Sequence, residues 1–196
     1  MMADGDGHRW HDADYVAGWI ARYEGQATPE YQAAQRRRLD RIVALLRSAV
    51  GTPATLLDLG VGWRRLARRL LDELPGARIV GCDFSRPMLD AARCNLASYG
   101  DRVELVELDL GVPGSIAELG LRCEAVVTTA TLHHVRRERV ATLYREVYET
   151  LAPGGIFLDL DRVRRRTDAW LAVLRRPWTR GAVAAADYGA TRAQPL

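Results

Sequence analysis

From Ala54 onward the chain alternates short, continuous apolar runs with stretches whose apolar side chains recur every three or four positions. The first pattern is that of strands buried on both faces; the second is that of helices burying one face. It predicts strands over Thr55–Leu59, Ala77–Cys82, Val103–Leu108, Ala125–Thr129 and Ile156–Leu160. Between them, a helix over Arg65–Leu74 is stopped by Pro75-Gly76. A second is capped by Ser85, carries Pro87 in its first turn and runs to about Ser98, with Gly100 just beyond. A third, from about Arg136 to Leu151, buries Val140, Leu143, Val147 and Leu151, and Pro153-Gly154-Gly155 reads as the turn that follows.

Strands separated by helical stretches are βαβ units, so the expected fold is α/β with a mainly parallel sheet between helices. Right-handed crossovers then place a ligand at the carboxyl ends of the strands. Two helices precede this core, one over about Ala13–Tyr23 and one opened by Thr28-Pro29 and ending near Val50. After the fifth strand come Arg164-Arg165-Arg166, a short helix around Ala169–Leu174, and a tail from Thr179 to Leu196. That tail is rich in alanine and glycine, has little to bury, and is expected to be loosely ordered.

Composition narrows the picture. A chain of 196 residues, 48% hydrophobic and 27% charged, fits one globular domain with a small appendage. No apolar stretch approaches the roughly 18 residues that span a bilayer. The N-terminus, Met1-Met2-Ala3-Asp4-Gly5-Asp6, has no apolar signal core, so the expected location is the cytoplasm. Cys82, Cys94 and Cys123 are odd in number and widely spaced, which argues against a disulfide framework or structural zinc and predicts no metal. The net charge of +3 comes from 28 arginines without a single lysine, a composition expected of a GC-rich bacterial genome. The arginines are scattered among 25 acidic residues, so nucleic acid is not the expected partner.

The candidate chemistry sits at strand ends. Gly60-Val61-Gly62 follows a strand and precedes a helix, where glycine permits an unusual turn and close approach of a ligand. Asp58, two residues before Gly60, stands at the mouth of the first strand, where it can receive a cationic amino group. Asp83 ends the second strand, 21 residues after Gly62, the position from which a carboxylate accepts from ribose hydroxyls. Asp109 follows the third strand and can accept from an adenine amino group. A nicotinamide dinucleotide fits less well: its fingerprint wants glycine where Arg65 stands, and Asp58 repels a pyrophosphate.

Leu57-Asp58-Leu59-Gly60-Val61-Gly62, then Val80-Gly81-Cys82-Asp83-Phe84-Ser85 with Met88-Leu89, resembles the first two motifs of the class I S-adenosylmethionine-dependent methyltransferases. Leu132-His133-His134-Val135 and Leu151-Ala152-Pro153-Gly154-Gly155 match further landmarks, and the likeness covers roughly residues 10–162. The resemblance implies a Rossmann-like three-layer sandwich, with N-terminal helices and S-adenosyl-L-methionine as cofactor. It implies that Asp58, Gly60 and Gly62 hold the methionine part of the cofactor and Asp83 the ribose. Phe84 and Met88 then flank the adenine, Asp109 with Leu110 reads its amino edge, and Thr128 touches the cofactor from the fourth strand. The domains expected are a helical lid segment over residues 1–50, a core over 51–178 and a flexible tail over 179–196.

Two positions depart from the family. Its usual third glycine falls where Arg64 stands; that side chain either fills the pocket, pairs with the cofactor's carboxylate or points to solvent. Nothing after Arg162 reads as the customary C-terminal strand pair, so the sheet is expected to lack it. His133 and His134 are candidate bases or packing residues. Tyr15, Trp19 and Tyr23 form one helical stripe, which either packs on the core or, with Trp63, closes over a small acceptor as a lid. The expected function is methyl transfer to a small molecule; the alternative is a non-catalytic relative with a degenerate cofactor site.

Overall fold

A computed structural model describes residues 7–25, 28–63 and 65–161. Arg64, Arg164-Arg165-Arg166, the helix expected near residues 169–174 and the tail over 179–196 lie outside the described residues. The chain divides into two units, Met1–Arg162 and Val163–Leu196.

The described part of the first unit holds five strands and five α-helices in the order α1 (Ala13–Gly25), α2 (Pro29–Val50), β1 (Thr55–Leu59), α3 (Arg65–Glu73), β2 (Arg78–Asp83), α4 (Arg86–Leu96), β3 (Val103–Glu107), β4 (Cys123–Thr129), α5 (Arg137–Thr150) and β5 (Leu151–Leu160). The strands pair in the order β3-β2-β1-β4-β5, all parallel. The chain therefore winds outward from β1 to β3, then returns to lay β4 against the free side of β1. That reversal opens a crevice at the carboxyl ends of β1 and β4, the place where ligands bind in open α/β sheets.

Strand alternation sends Leu56, Ile79, Ala125 and Val127 into one core with Ile42 and Leu46 of α2, Leu66 and Leu70 of α3, and Leu89 of α4. The opposite face carries Leu57, Leu59, Val80, Cys82 and Val126, packed with Leu143 and Val147 of α5. Leu57 is fully buried, so truncation to alanine removes about 2–5 kcal/mol of stability. Cys82 and Cys123 are buried in this second core as small hydrophobes, and burial pushes their thiols up to about 12 and about 11.

The caps follow local chemistry. Thr28 accepts from the Tyr31 amide with Pro29 next to it, and Ser85 accepts from the Met88 amide. Most boundaries shift by one or two residues, and two differences change the local structure. The helix after Ser85 ends at Leu96 and continues as a tighter 3-10 turn through Arg102, in which Gly100 has φ 55°. Pro153-Gly154-Gly155 lies inside β5: Cys123 faces Leu151 while Ala125 already faces Ile156, so residues 152–155 bulge from the ladder. A bulge admits a proline with no N–H to donate, and Gly154 takes φ 81° there.

Candidate functional site

Asp58 and Asp83 stand on one face of the sheet because Asp58 pairs with Gly81 and side chains alternate along β2. Asp58 is 1% exposed, and among the described residues neither of its carboxylate oxygens has a hydrogen-bond partner. Burial, with the nearby Asp83 charge, raises its pKa from 3.8 to about 7. A buried carboxylate with both oxygens unmet is costly unless a cation or donor reaches it.

The glycine turn is built against Asp58's two neighbouring strands. Gly60 and Gly62 take φ 74° and 57°, in the left-handed region that other residues enter at a cost. The Gly60 and Val61 amides both donate to the Cys82 carbonyl, at 2.8 and 2.9 Å, folding the turn back over β2. A Cβ on Gly60 would come within 2.2 Å of Thr131 Oγ1, and one on Gly81 within 2.9 Å of Val61 Cγ2. Gly81 thus lets the turn settle on the sheet, a role its place inside a strand did not reveal.

Asp83 joins that turn to the start of α4. Its carboxylate accepts from the Gly62 amide at 3.0 Å and from the Ser85 amide at 2.9 Å. Burial raises its pKa, and the Ser85, Gly62 and Phe84 amides work the other way. Asp109 accepts from the Gly111 amide at 2.7 Å, and Leu110 is buried in the second core. Phe84 meets the ring of His11 edge-on at 5.4 Å. Met88 is buried beside Val16 and Trp63. Thr128 is fully buried and its hydroxyl donates to the Leu59 carbonyl at 2.8 Å, tying β4 to the end of β1.

The aromatic stripe of α1 reaches this turn. Trp19 stacks on Tyr23 at 5.1 Å, and Trp63 meets both rings edge-on at 5.3 and 5.5 Å. Trp10 adds edge contacts to Tyr15 and Trp19, and its carbonyl accepts from the Ser85 hydroxyl. The Arg65 guanidinium lies 5.0 Å from the Tyr23 ring centroid, a cation–π contact between α3 and α1. The stripe therefore packs, and what it packs on is the residue that follows the glycine turn.

Across the crevice, His133 and His134 occupy a 3-10 turn after β4, with their rings 3.9 Å apart. Ala130, just before it, has φ 52°, a strain of about 1–3 kcal/mol of the kind that gathers at functional sites. His133 Nδ1 lies 2.7 Å from Asp161 Oδ1, and its backbone amide donates to Asp161 Oδ2 at 2.9 Å. Asp159, two residues earlier, accepts from the Tyr144 hydroxyl at 3.2 Å; burial and then the Asp161 charge raise its pKa to about 6. The His134 ring lies 6.5 Å from Trp10. Sequence reasoning missed Asp159 and Asp161 because acids at the end of an apolar strand carry no motif; their spacing of two, on one strand face, was the available signal.

The chain belongs to the methyltransferase-domain family, whose pattern matches residues 56–155, just over half of its 196 residues. It is similar to a carboxy-S-adenosyl-L-methionine synthase of Aeromonas hydrophila, 33% identical over 56% of this chain and 43% of the relative. It is also similar to a malonyl-[acyl-carrier protein] O-methyltransferase of Geobacter sulfurreducens, 32% identical over 65% of this chain and 45% of the relative. A ribosomal RNA small subunit methyltransferase H of Mycobacterium marinum is 39% identical over 41% of this chain, but over only 22% of its own length. The chain thus spans less than half the length of the curated relatives it matches. Among solved structures, Streptomyces venezuelae DesVI shares the fold, with TM-score 0.58, 21% identity, and coverage of 77% of this chain and 58% of that one. The N-terminal domain of EvdMO1 with SAH bound aligns at TM-score 0.50 and 27% identity, over 58% of this chain and 46% of that one.

S-adenosylmethionine, the cofactor of this family, carries an ammonium, a sulfonium and a pair of ribose hydroxyls. The site fits it: among the described residues Asp58 offers two unmet oxygens to a cation, Asp83 ends β2 beside the same turn, and Gly62 leaves open space where a side chain would stand. Among the described residues no helix is long and apolar enough to cross a membrane, and no acid, histidine or cysteine group is arranged to hold a metal ion.

Proposed function

We propose that this chain binds S-adenosylmethionine along the carboxyl ends of β1–β3 and transfers its methyl group to a small molecule held over β4 and β5. The observation that carries the reading is Asp58, buried with both oxygens unmet at the switch point of the sheet. A cationic amino group placed there satisfies the carboxylate and draws its pKa back down. In this reading Asp58, Gly60 and Gly62 hold the methionine part, Asp83 the ribose, Phe84 and Met88 the faces of the adenine, and Asp109 with Leu110 its amino edge. Thr128 acts one step back, keeping the ends of β1 and β4 together. Of the segment over 1–50, the described residues serve as the lid, with Tyr15, Trp19 and Trp63 excluding water over the crevice, and the described residues from 51 onward form the core.

The bound cofactor supplies an electrophilic methyl on a sulfonium. The chain supplies position: a rigid turn on one side of the crevice and a short polar turn on the other, so that proximity lowers the barrier. The relatives' names give unlike acceptors, a malonyl group on a carrier protein and a ribosomal RNA among them. For this chain a small acceptor is supported by Asp159 and Asp161, whose carboxylates beside the β4 turn oppose an approaching phosphate backbone.

Titration calorimetry with S-adenosylhomocysteine tests the reading in the natural chain, in Asp58→Asn and in Arg64→Gly. Micromolar binding by the natural chain that is lost in Asp58→Asn is the expected result. Binding that appears only in Arg64→Gly refutes the reading and identifies a degenerate, non-catalytic relative.

A further inference from the structure

The polar turn after β4 is more than a wall of the crevice. Asp161 reaches His133 with both oxygens: Oδ1 lies 2.7 Å from the His133 ring and Oδ2 accepts from the His133 amide at 2.9 Å. The Asp161 side chain is 7% exposed, so the carboxylate is largely shielded from water, whereas the His133 side chain keeps 35% of its surface open. An ionised carboxylate only accepts, so Nδ1 of a neutral His133 carries the proton and Nε2 carries the lone pair.

The turn that holds this imidazole is itself built on the cofactor turn. Thr131 Oγ1 lies 3.5 Å from the Gly60 carbonyl oxygen and fills the space a Gly60 side chain would take. His133 is therefore two residues from an atom that packs on the glycine turn. Among the described residues the charged and titratable groups around it are Asp159 of β5, Asp161 just after that strand, Tyr144 from α5, and His134 from its own turn.

We propose that His133 Nε2 removes the proton of a hydroxyl acceptor, with Asp161 as the positioning residue that sets its tautomer and aim, so that the chain methylates oxygen. This rests on the methyl-transfer reading above. An uncharged amine attacks through a lone pair already in place, whereas a neutral hydroxyl must lose its proton as the new bond forms. The acceptor O–H bond breaks with its proton passing to Nε2. The oxygen's electron pair forms the O–CH3 bond, and the pair of the broken C–S bond stays on sulfur as a neutral thioether. The imidazolium then returns its proton to solvent.

The test uses the full chain with 15N-labelled histidine, alone and with S-adenosylhomocysteine, as the natural protein and as Asp161→Asn, Asp161→Glu and His133→Gln. NMR of the natural chain is expected to show His133 as the Nδ1–H tautomer. Asp161→Asn, whose amide can donate to Nδ1, is expected to reverse it, and Asp161→Glu to restore much of it. With tritiated methyl donor, phenol and catechol are the hydroxyl probes, and aniline and benzylamine the amine probes. Label is expected on the hydroxyl probes alone. Asp161→Asn and His133→Gln are expected to lower kcat on catechol by about 10²-fold or more, with S-adenosylhomocysteine affinity within about twofold of natural. An Nε2–H tautomer in the natural chain overturns the clamp. Label on amines alone, or on no probe in a chain that binds S-adenosylhomocysteine, overturns the hydroxyl assignment. Loss of S-adenosylhomocysteine binding in the natural chain marks instead a failure of the methyl-transfer reading.

Discussion

The two halves of the crevice solve the problem of buried polar groups in opposite ways. Over β1 and β2, among the described residues, neither oxygen of the buried Asp58 meets a hydrogen-bond partner, and Asp83 accepts from the backbone amides of Gly62 and Ser85. Over β4 and β5, the polar groups complete one another: Asp161 holds His133, and Tyr144 donates to Asp159. In the proposed function, the first half is completed when a ligand's cation reaches Asp58. The second already pairs His133 with Asp161 and leaves part of the imidazole open. One half stores affinity as unmet polarity; the other stores geometry.

That contrast can be broken most sharply at Asp58. In Asp58→Asn the affinity for S-adenosylhomocysteine should fall by about 10²- to 10³-fold, the cost of removing one partner of a buried charge pair. The apo protein should move the other way. Asp58 keeps its proton up to about pH 7 in the folded chain, against 3.8 for the unperturbed group. Folding therefore binds a proton between those values, and stability drains away as pH rises through that window, by an order of 4 kcal/mol at most above pH 7. Melting curves at pH 8 should show Asp58→Asn more stable than the natural chain; equal or lower stability would mean that Asp58 already has a partner.

A somewhat smaller effect is expected from the backbone that frames the same half. Gly60→Ala must hold φ 74° and place its Cβ where Thr131 sits, at a cost of about 2–4 kcal/mol in urea denaturation. Gly62→Ala, at φ 57° with open space around it, should cost only about 1 kcal/mol. Equal losses would remove the packing of the β4 turn on the glycine turn.

The pH dependence of binding is gentler. An ammonium pairs with ionised Asp58, so S-adenosylhomocysteine affinity should weaken as pH falls below about 7, by up to about tenfold per pH unit. Asp58→Asn should flatten that slope in calorimetry at pH 5.5 to 8. The smallest effect is reserved for the completed half. Tyr144→Phe removes one hydrogen bond to Asp159 and should lower stability by about 1 kcal/mol with ligand affinity unchanged.

Much of the cofactor half was legible in the chain because its parts are local. Asp58 precedes Gly60 by two positions, and Asp83 closes the strand that follows the next helix. A βαβ unit has a single handedness, so spacing alone brings such residues to one edge. The stripe Tyr15-Trp19-Tyr23 was visible as a periodicity, but its partners Trp63 and Arg65 were not, since periodicity names a face and not what covers it. The His133–Asp161 clamp spans 28 residues and depends on β4 and β5 being neighbours. No local pattern announces it.

By itself, then, the sequence determined the strands and helices, the parallel winding and the acids and glycines at the strand ends, because each follows from periodicities of two and 3.6 and from backbone chemistry within a few residues. Tertiary structure alone decided that Asp58 meets no hydrogen-bond partner among the described residues, that Thr131 closes against Gly60, that residues 152–155 bulge out of β5, and that His133 is held by Asp161. These depend on burial and on contacts between distant segments. A carboxylate reads the same in the chain whether it is solvated, paired or stranded, and only the packed fold settles which energy it carries.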